Sequence, residues 1–541
     1  MKSLTIKKLY KLHSWVGIIT GILLFIIAFT GAVAVFAKPE LTVWANNAIR
    51  GPIESTSAQL AEKVHQHAAE VGPEYLEEVH IQLPDAKNSA TVRLIYEGHF
   101  IDENGKEEHK GVVYELDPNT LKITNKTDME SFFSHIKLNM ATFIAHFHAD
   151  LHLGRPIGLI LTGLLGLTLM VSIATGIVIH RKILAQLFTF RLSKSFSLAL
   201  NDGHKVMSVW AVLFHSMIAF TGAFLGLATV ILVPAAAYVS FNGDQEKLIE
   251  TFTAIKPPIM AEVAATTKLA TILQASEQQR PDLTFNRVAI MGYGDKNALV
   301  YLFGTGGEQL GGETLIYQGS NAEYINTQAN FGRLEGITGK ILDAMFPLHF
   351  GNFGGVFIKA IWAILGLSTA LIPISGIMLW IERGMNAKHP AHSRETYIRF
   401  NKLLIGSCAG LVLATVVLFP TQLIVNKWYL GIDATSLLFY VFFITWFLAC
   451  CMPFVMSAKK AMQCLTLSTS WLMILIMPMD AILTNSHLLN VFVTGHYVSV
   501  GVDLVLCIMG IALLLMYQKL NSTLSLNETY QTSTLQLKEG I

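Results

Sequence analysis

Eight long apolar runs dominate this chain, and no water-soluble fold could bury them all. They cover about residues 13–37, 154–180, 204–238, 354–381, 401–424, 434–457, 462–484 and 489–517. Each reaches the ~20 residues that a helix needs to cross a bilayer. Composition agrees. Of the 541 residues, 52% are hydrophobic and 14% charged, whereas a soluble domain carries about 25% charged residues. The expected fold is a predominantly α membrane protein with about eight transmembrane helices. Lys2, Lys7, Lys8 and Lys11 precede the first run, as in a signal peptide. That run is longer than an h-region of roughly 7–15 residues, so it reads as an anchor.

Basic residues set the expected orientation. Besides the N-terminal lysines, Arg181, Lys182, Arg191, Lys194 and Lys205 follow the second span. Arg383, Lys388, Arg394, Arg399 and Lys402 follow the fourth, and Lys459 and Lys460 follow the sixth. All fall on one side, expected to be cytoplasmic, with both termini there. The chain then divides into a first membrane helix (1–37), an outer segment (38–145) and helices two and three (146–238). A second outer segment (239–348), helix four (349–383), a C-terminal four-helix membrane region (400–518) and a cytoplasmic tail (519–541) follow. No basic stripe is present to neutralise nucleic-acid phosphates. The cysteines (Cys408, Cys450, Cys451, Cys464, Cys507) all lie in the apolar C-terminal part and form no CxxC pair.

The first half is built from a repeated unit. His13 is followed by Thr30-Gly31, and His204 by Thr221-Gly222, at the same spacing. Span two carries Gly166 and then Thr175-Gly176; span four carries Gly366 and then Ser375-Gly376. The unit is helix, outer segment, helix, used twice, and spans five to eight show no third copy. Each outer segment reads as a small α+β domain. The first has a helical stretch from Ser57 and strand-like runs from Glu78, Ala90 and Val112; the second has a helix over 262–276 and runs from Phe285 and Ala298.

Histidines at the membrane edges are the candidate functional residues, since ionisable groups bordering a span are rarely idle. His13 and His204 open spans one and three at the inner edge; His148, His152 and His349 stand before or at the start of spans two and four at the outer edge. Each level offers imidazoles from two helices, as bis-histidine haem b ligation requires. His148 and His152 read as one helical turn apart, so periodicity does not separate them. His180 competes with His13 for the inner site. His215 would lie ~16 Å deeper than His204, at a depth where no other histidine of the first four spans stands, and reads as a non-ligand. Gly17, Gly21, Gly154, Gly158, Gly351, Gly354 and Gly355 leave room for a flat macrocycle or for close helix packing, and the Thr-Gly pairs also suit packing notches. Phe25, Phe29, Phe36, Trp210, Phe214, Phe220 and Trp362 read as core or lipid-facing. His65, His67, His80, His99 and His109 read as solvated surface. No physical argument assigns His487 and His496.

These motifs resemble the PepSY-associated transmembrane family, which includes siderophore-iron reductases of bacterial inner membranes. The matching residues are Leu12-His13-Ser14-Trp15-Val16-Gly17 with Thr30-Gly31, and Phe147-His148 through Gly154 with Thr175-Gly176. His204 with Thr221-Gly222 and Pro347-Leu348-His349-Phe350-Gly351 with Ser375-Gly376 complete the set. Val113 through Thr120 looks like the closing strand and turn of a PepSY domain. The resemblance covers about 1–383 and implies two PepSY-like periplasmic domains on a haem-bearing four-helix core. His13, His148, His204 and His349 are then the haem-ligand candidates, with His152, His180 and His215 as alternates. His180 stands where the family usually has an aromatic residue, and the helices after 400 lie outside the common core.

The expected function is a haem b electron-transfer protein, with two haems per chain, that reduces ferric iron at the periplasmic face. Its partners would be a ferric siderophore or other ferric chelate, a cytoplasmic or quinol electron donor, and membrane lipid. No nucleotide-binding glycine loop is present, so electrons come from elsewhere. An iron-siderophore transporter is the first alternative, with Pro373, Pro420, Pro453 and Pro478 as helix breakers and Asp503 as the acid set well inside a later span. A non-catalytic sensor using its outer domains is the second.

Overall fold

A computed structural model describes residues 3–47, 55–83, 91–101, 107–134, 139–180, 191, 195–252, 255–307, 310–329, 336–428, 434–484 and 497–539. His487 and His496 lie outside them. Among the described residues, eight helices are long and apolar enough to span a membrane: Leu4–Ala34, Ile157–Ile179, Val212–Phe241, Gly355–Met385, Arg394–Lys427, Thr435–Val455, Ala458–Thr484 and Tyr497–Lys519. They coincide with the eight apolar runs of the sequence. An even number of crossings puts both chain ends on one side and both long extramembrane segments on the other, here called the sheet side.

The first four spans form a bundle. Span one packs on spans two and four, and span three packs on span two through Val212–Leu227 and on span four through its leading helix Phe196–Trp210. Span one therefore faces span three across the axis, and span two faces span four. Ser195 starts the leading helix by accepting the Leu198 N–H, which satisfies an otherwise orphaned donor. Span three is not the single helix expected over 204–238. It breaks at Ala211 (φ −109°, ψ 23°) and widens to a π-turn over Ala228–Leu232 before Pro234. Proline has no N–H to continue the ladder, and the turn before it adjusts.

Spans five to eight form a second bundle that leans on spans one and four through span five. It shares one apolar core with the first bundle, including Phe25, Trp44, Phe143, Phe147, Leu411, Phe419 and Phe442. Trp210 and Phe220 are largely exposed, as expected for lipid-facing rings, while Phe25 and Phe29 are buried and stacked.

The two extramembrane segments are α+β, as expected, and they join through one sheet. Each supplies a helix (Ser57–Ala68; Leu269–Gln279) and four strands. The strands are β1 Glu78–Gln82, β2 Val92–Ile101, β3 Glu107–Leu116, β4 Ile123–Asp128, β5 Thr284–Met291, β6 Leu299–Thr305, β7 Glu313–Gln318 and β8 Tyr324–Ala329. They form one antiparallel sheet in the order β4-β3-β2-β1-β5-β6-β7-β8. β1 pairs with β5 at its centre, Glu78 opposite Met291 and Gln82 opposite Arg287. The two helices pack side by side, and one apolar core joins Leu60, Val64, Val79 and Ile81 to Leu269, Ile272, Val288 and Ile290. Pairing the two first strands removes two sheet edges that would otherwise expose unpaired backbone.

The first four spans also carry a buried charge that hydropathy did not reveal. Lys359, 4% exposed near the start of span four, donates to Glu40 Oε2 at 2.8 Å and to the Lys38 carbonyl at 2.6 Å. A buried ammonium needs such partners, and removing one partner of a buried pair costs about 3–5 kcal/mol. Lys359→Met should therefore lower the unfolding temperature of the detergent-solubilised protein, and Lys359→Met with Glu40→Gln should restore most of the loss. A double variant as unstable as the single one would contradict this account.

Two opposed histidine pairs as the candidate functional site

Four of the sequence-predicted histidines meet in two pairs. His13 of span one and His204 of the helix leading into span three have ring centres 6.4 Å apart, nearly perpendicular. His148, on the short helix Met140–Asp150 before span two, and His349, at the end of Gly336–Phe350 before span four, have centres 6.1 Å apart. A metal–imidazole bond of about 2 Å, plus roughly 1.1 Å from nitrogen to ring centre, puts two imidazoles on opposite sides of one metal about 6.2 Å apart. Both pairs have that separation.

Each ring is fixed in the same manner. His13 Nδ1 lies 3.1 Å from the Ser172 carbonyl and 3.1 Å from Thr175 Oγ1. His204 Nδ1 lies 3.2 Å from the Ile372 carbonyl and 2.9 Å from Ser375 Oγ. His148 Nδ1 donates to the Ile27 carbonyl at 2.9 Å. His349 Nδ1 donates to Thr221 Oγ1 at 2.9 Å, that hydroxyl itself donating to Met217 O. A carbonyl only accepts, so Nδ1 carries the proton and the Nε2 lone pair is available, the tautomer that metal-ligating histidines adopt. Among the described residues no protein group hydrogen-bonds any of the four Nε2 atoms.

The Thr-Gly pairs of the sequence are the cradles. A Cβ at Gly176 would lie 3.4 Å from His13 Cε1, at Gly376 3.4 Å from His204 Cε1, at Gly222 3.2 Å from His349 Cε1, and at Gly31 2.7 Å from His148 Cε1. In each the hydroxyl residue before the glycine bonds back to its own helix. The partner helix can thus approach closely enough for its histidine to bond the backbone. The spacing is legible in the sequence; that each glycine lies under a histidine from another helix is a property of the packing. Among the seven glycines expected to leave room, Gly17 faces open space but Gly21 packs against Ile377 and Pro373 of span four.

The three alternates stand elsewhere. His152 is not one helical turn beyond His148. The helix ends at Asp150, and Leu151 and His152 both take positive φ (57° and 55°), which turns the His152 ring among Phe143, Phe147, Phe439 and Phe443. His215 is buried with both nitrogens engaged, Nδ1 at 2.8 Å from Thr369 Oγ1 and Nε2 at 3.1 Å from Met207 O. That leaves it no lone pair for a metal. His180 follows span two, its Nδ1 buried without a partner, and its ring pairs with neither inner histidine.

The pairs stand near opposite membrane edges. From His13 to Gly31, eighteen residues of span one rise about 27 Å, close to the ~30 Å hydrocarbon thickness. At the terminal-side end, Arg383 of span four donates to Tyr10 OH at 2.6 Å and to Asn201 Oδ1 at 3.3 Å. Arg191, between spans two and three, donates to buried Asp202 of the His204 helix at 2.8 Å.

A family model described as the PepSY-associated TM region matches residues 10–383, the stretch that contains both pairs and the whole sheet. The chain is also 24% identical over 307 residues to the uncharacterized protein PA4219 of Pseudomonas aeruginosa, a match covering 53% of this chain and 74% of that protein. Spans five to eight lie beyond the family match.

Gly31→Val would drive a side chain into the space of the His148 ring, an overpacking the backbone cannot absorb cheaply. The expected outcome is a lower unfolding temperature of the detergent-solubilised protein, with Gly31→Ala losing less. An unfolding temperature equal to wild type in Gly31→Val would contradict the role of the cradle.

Proposed function

We propose that this chain, which belongs to the PepSY-associated TM-region family, is a haem b electron-transfer protein that reduces ferric iron on the sheet side of the membrane. The ferric ion is substrate, held by a siderophore or another chelate. In this reading the termini lie in the cytoplasm of a bacterium and the sheet in the periplasm, with the inner membrane between, and the basic loops support that orientation. Electrons enter from the cytoplasmic side or the quinol pool.

One observation carries the reading: two imidazole pairs at the separation of axial ligands, each with its Nδ1 protons bonded to protein. The donor set fits haem b, which takes two neutral imidazoles held on rigid helices. When bound, haem b supplies a one-electron Fe(III)/Fe(II) couple. The protein holds four rings in one tautomer, raises their basicity through the Nδ1 bonds, and sets the pairs at the two edges of the membrane. On the sheet side, an electron delivered to the chelated ferric ion yields Fe(II), which hard oxygen chelators hold less tightly.

The test is ferrous iron formed outside right-side-out membrane vesicles supplied with quinol and a ferric siderophore, trapped by a ferrous-specific dye. His204→Ala and His148→Ala should each lower the rate at least tenfold. Rates equal to wild type in both variants would overturn the proposal.

A second reading, transport, has one observation in its favour. Asp480 and Asp503 of spans seven and eight are both buried. Trp44 Nε1 donates to Asp503 at 2.8 Å, and Thr484, bonded to Asp480, lines a cavity of about 400 Å³ with Asn46, Asn47, Asn426 and Lys427. Sequence alone had marked only Asp503 as lying inside. Uptake of iron-labelled siderophore into reductant-free vesicles, abolished by Asp503→Asn, would favour this reading over the first.

A further inference from the structure

The face of the sheet opposite its two helices carries a cluster of donors that the membrane site does not use. Along β1, β2 and β3, Val79, Ile81, Leu94, Tyr96 and Tyr114 point into the core, and the alternate positions point the other way. Register sets Glu78 directly opposite Glu97 and His99 directly opposite His109, with His80 two residues along β1. Five nitrogen- and oxygen-donor side chains thus share one patch.

Their contacts are close. His80 Nε2 lies 3.0 Å from Glu78 Oε2 and 3.9 Å from Glu97 Oε2. His99 Nε2 lies 3.5 Å from Glu78 Oε1, and His109 Nδ1 lies 2.6 Å from Glu97 Oε1. The His99 and His109 rings are 4.3 Å apart. Two triads, Glu97-His99-His109 and Glu78-His80-Glu97, each have their donor atoms within 4.8 Å of one another and share Glu97. His80 Nδ1 is buried and has no hydrogen-bond partner.

Electrostatics ask for a cation here. Two carboxylates directly opposite on neighbouring strands repel. A bound metal ion would place positive charge between them and take the neighbouring imidazole nitrogens as further ligands.

We propose that Glu78, His80, Glu97, His99 and His109 form a binding site for a divalent first-row transition-metal ion. Mixed imidazole and carboxylate donors suit Zn(II), Fe(II), Ni(II) or Cu(II); an all-oxygen site would suit Mg(II) or Ca(II), and thiolates would suit Cu(I). Donors around a tetrahedral ion at about 2.0–2.1 Å stand about 3.3 Å apart, so closing a triad takes side-chain rotation and no change of strand register. The site stands independently of what the membrane pairs hold.

Zn(II) is the probe, because it does not undergo redox chemistry. The full chain, in detergent, with its purification tag removed and stripped by chelator, is titrated in competition with a zinc-binding dye at pH 7.5. One ion per chain is expected to bind. Glu97→Gln, nearly isosteric and shared by both triads, and His99→Ala with His109→Ala should each weaken binding at least tenfold. His65→Gln, a histidine of the same layer outside the patch, should leave it unchanged. No bound zinc in the wild type, or wild-type affinity in Glu97→Gln, would show that the patch is only an imidazole–carboxylate network.

Discussion

The bond from a histidine Nδ1–H to the backbone or hydroxyl of a neighbouring helix, over a glycine, is the constraint on which the membrane half depends. Helix backbone is normally shielded by side chains, so an imidazole reaches it only where the side chain is missing. Thr30-Gly31, Thr175-Gly176, Thr221-Gly222 and Ser375-Gly376 provide four such gaps. The hydroxyl turns back onto its own helix and the glycine admits the ring. This fixes the orientation and tautomer of the ring, and with them the direction of the Nε2 lone pair.

The duplication then acquires a physical meaning. Within each half, one helix holds the other's histidine at both levels: span two holds His13 and span one holds His148, while span four holds His204 and span three holds His349. The pairs, however, are completed only between halves, His13 with His204 and His148 with His349. The sheet repeats that logic, four strands from each half meeting at β1 and β5. Neither half alone would pair its histidines or make a sheet without an exposed central edge.

Much of this was legible in sequence because the membrane imposes a length and an apolar composition on every span, and because the repeat displays the histidines at matching depths. What escaped has local causes. His148 and His152 look equivalent to a helical period, but two residues of positive φ after Asp150 separate them. His67 read as surface, yet it is 2% exposed and stacked on Tyr114, because a small α+β layer buries its helix face fully. Strands β4, β7 and β8 were missed; the first is largely exposed and β7 almost wholly buried, so neither alternates as a half-buried strand does. The Lys359–Glu40 pair was hidden because one charge at the end of an apolar run barely alters its hydropathy, and its partner lies 319 residues away. The joining of the sheet is a long-range pairing that no local signal announces.

The central claim is that each imidazole pair is an axial ligand set, and its most direct test is the absorption spectrum of the purified wild-type chain, oxidised and dithionite-reduced, with pyridine-haemochrome quantification. The account predicts low-spin haem b at two per chain. A folded protein, made with ample haem supply, that carries none would contradict it, and a single haem would contradict the equivalence of the two levels.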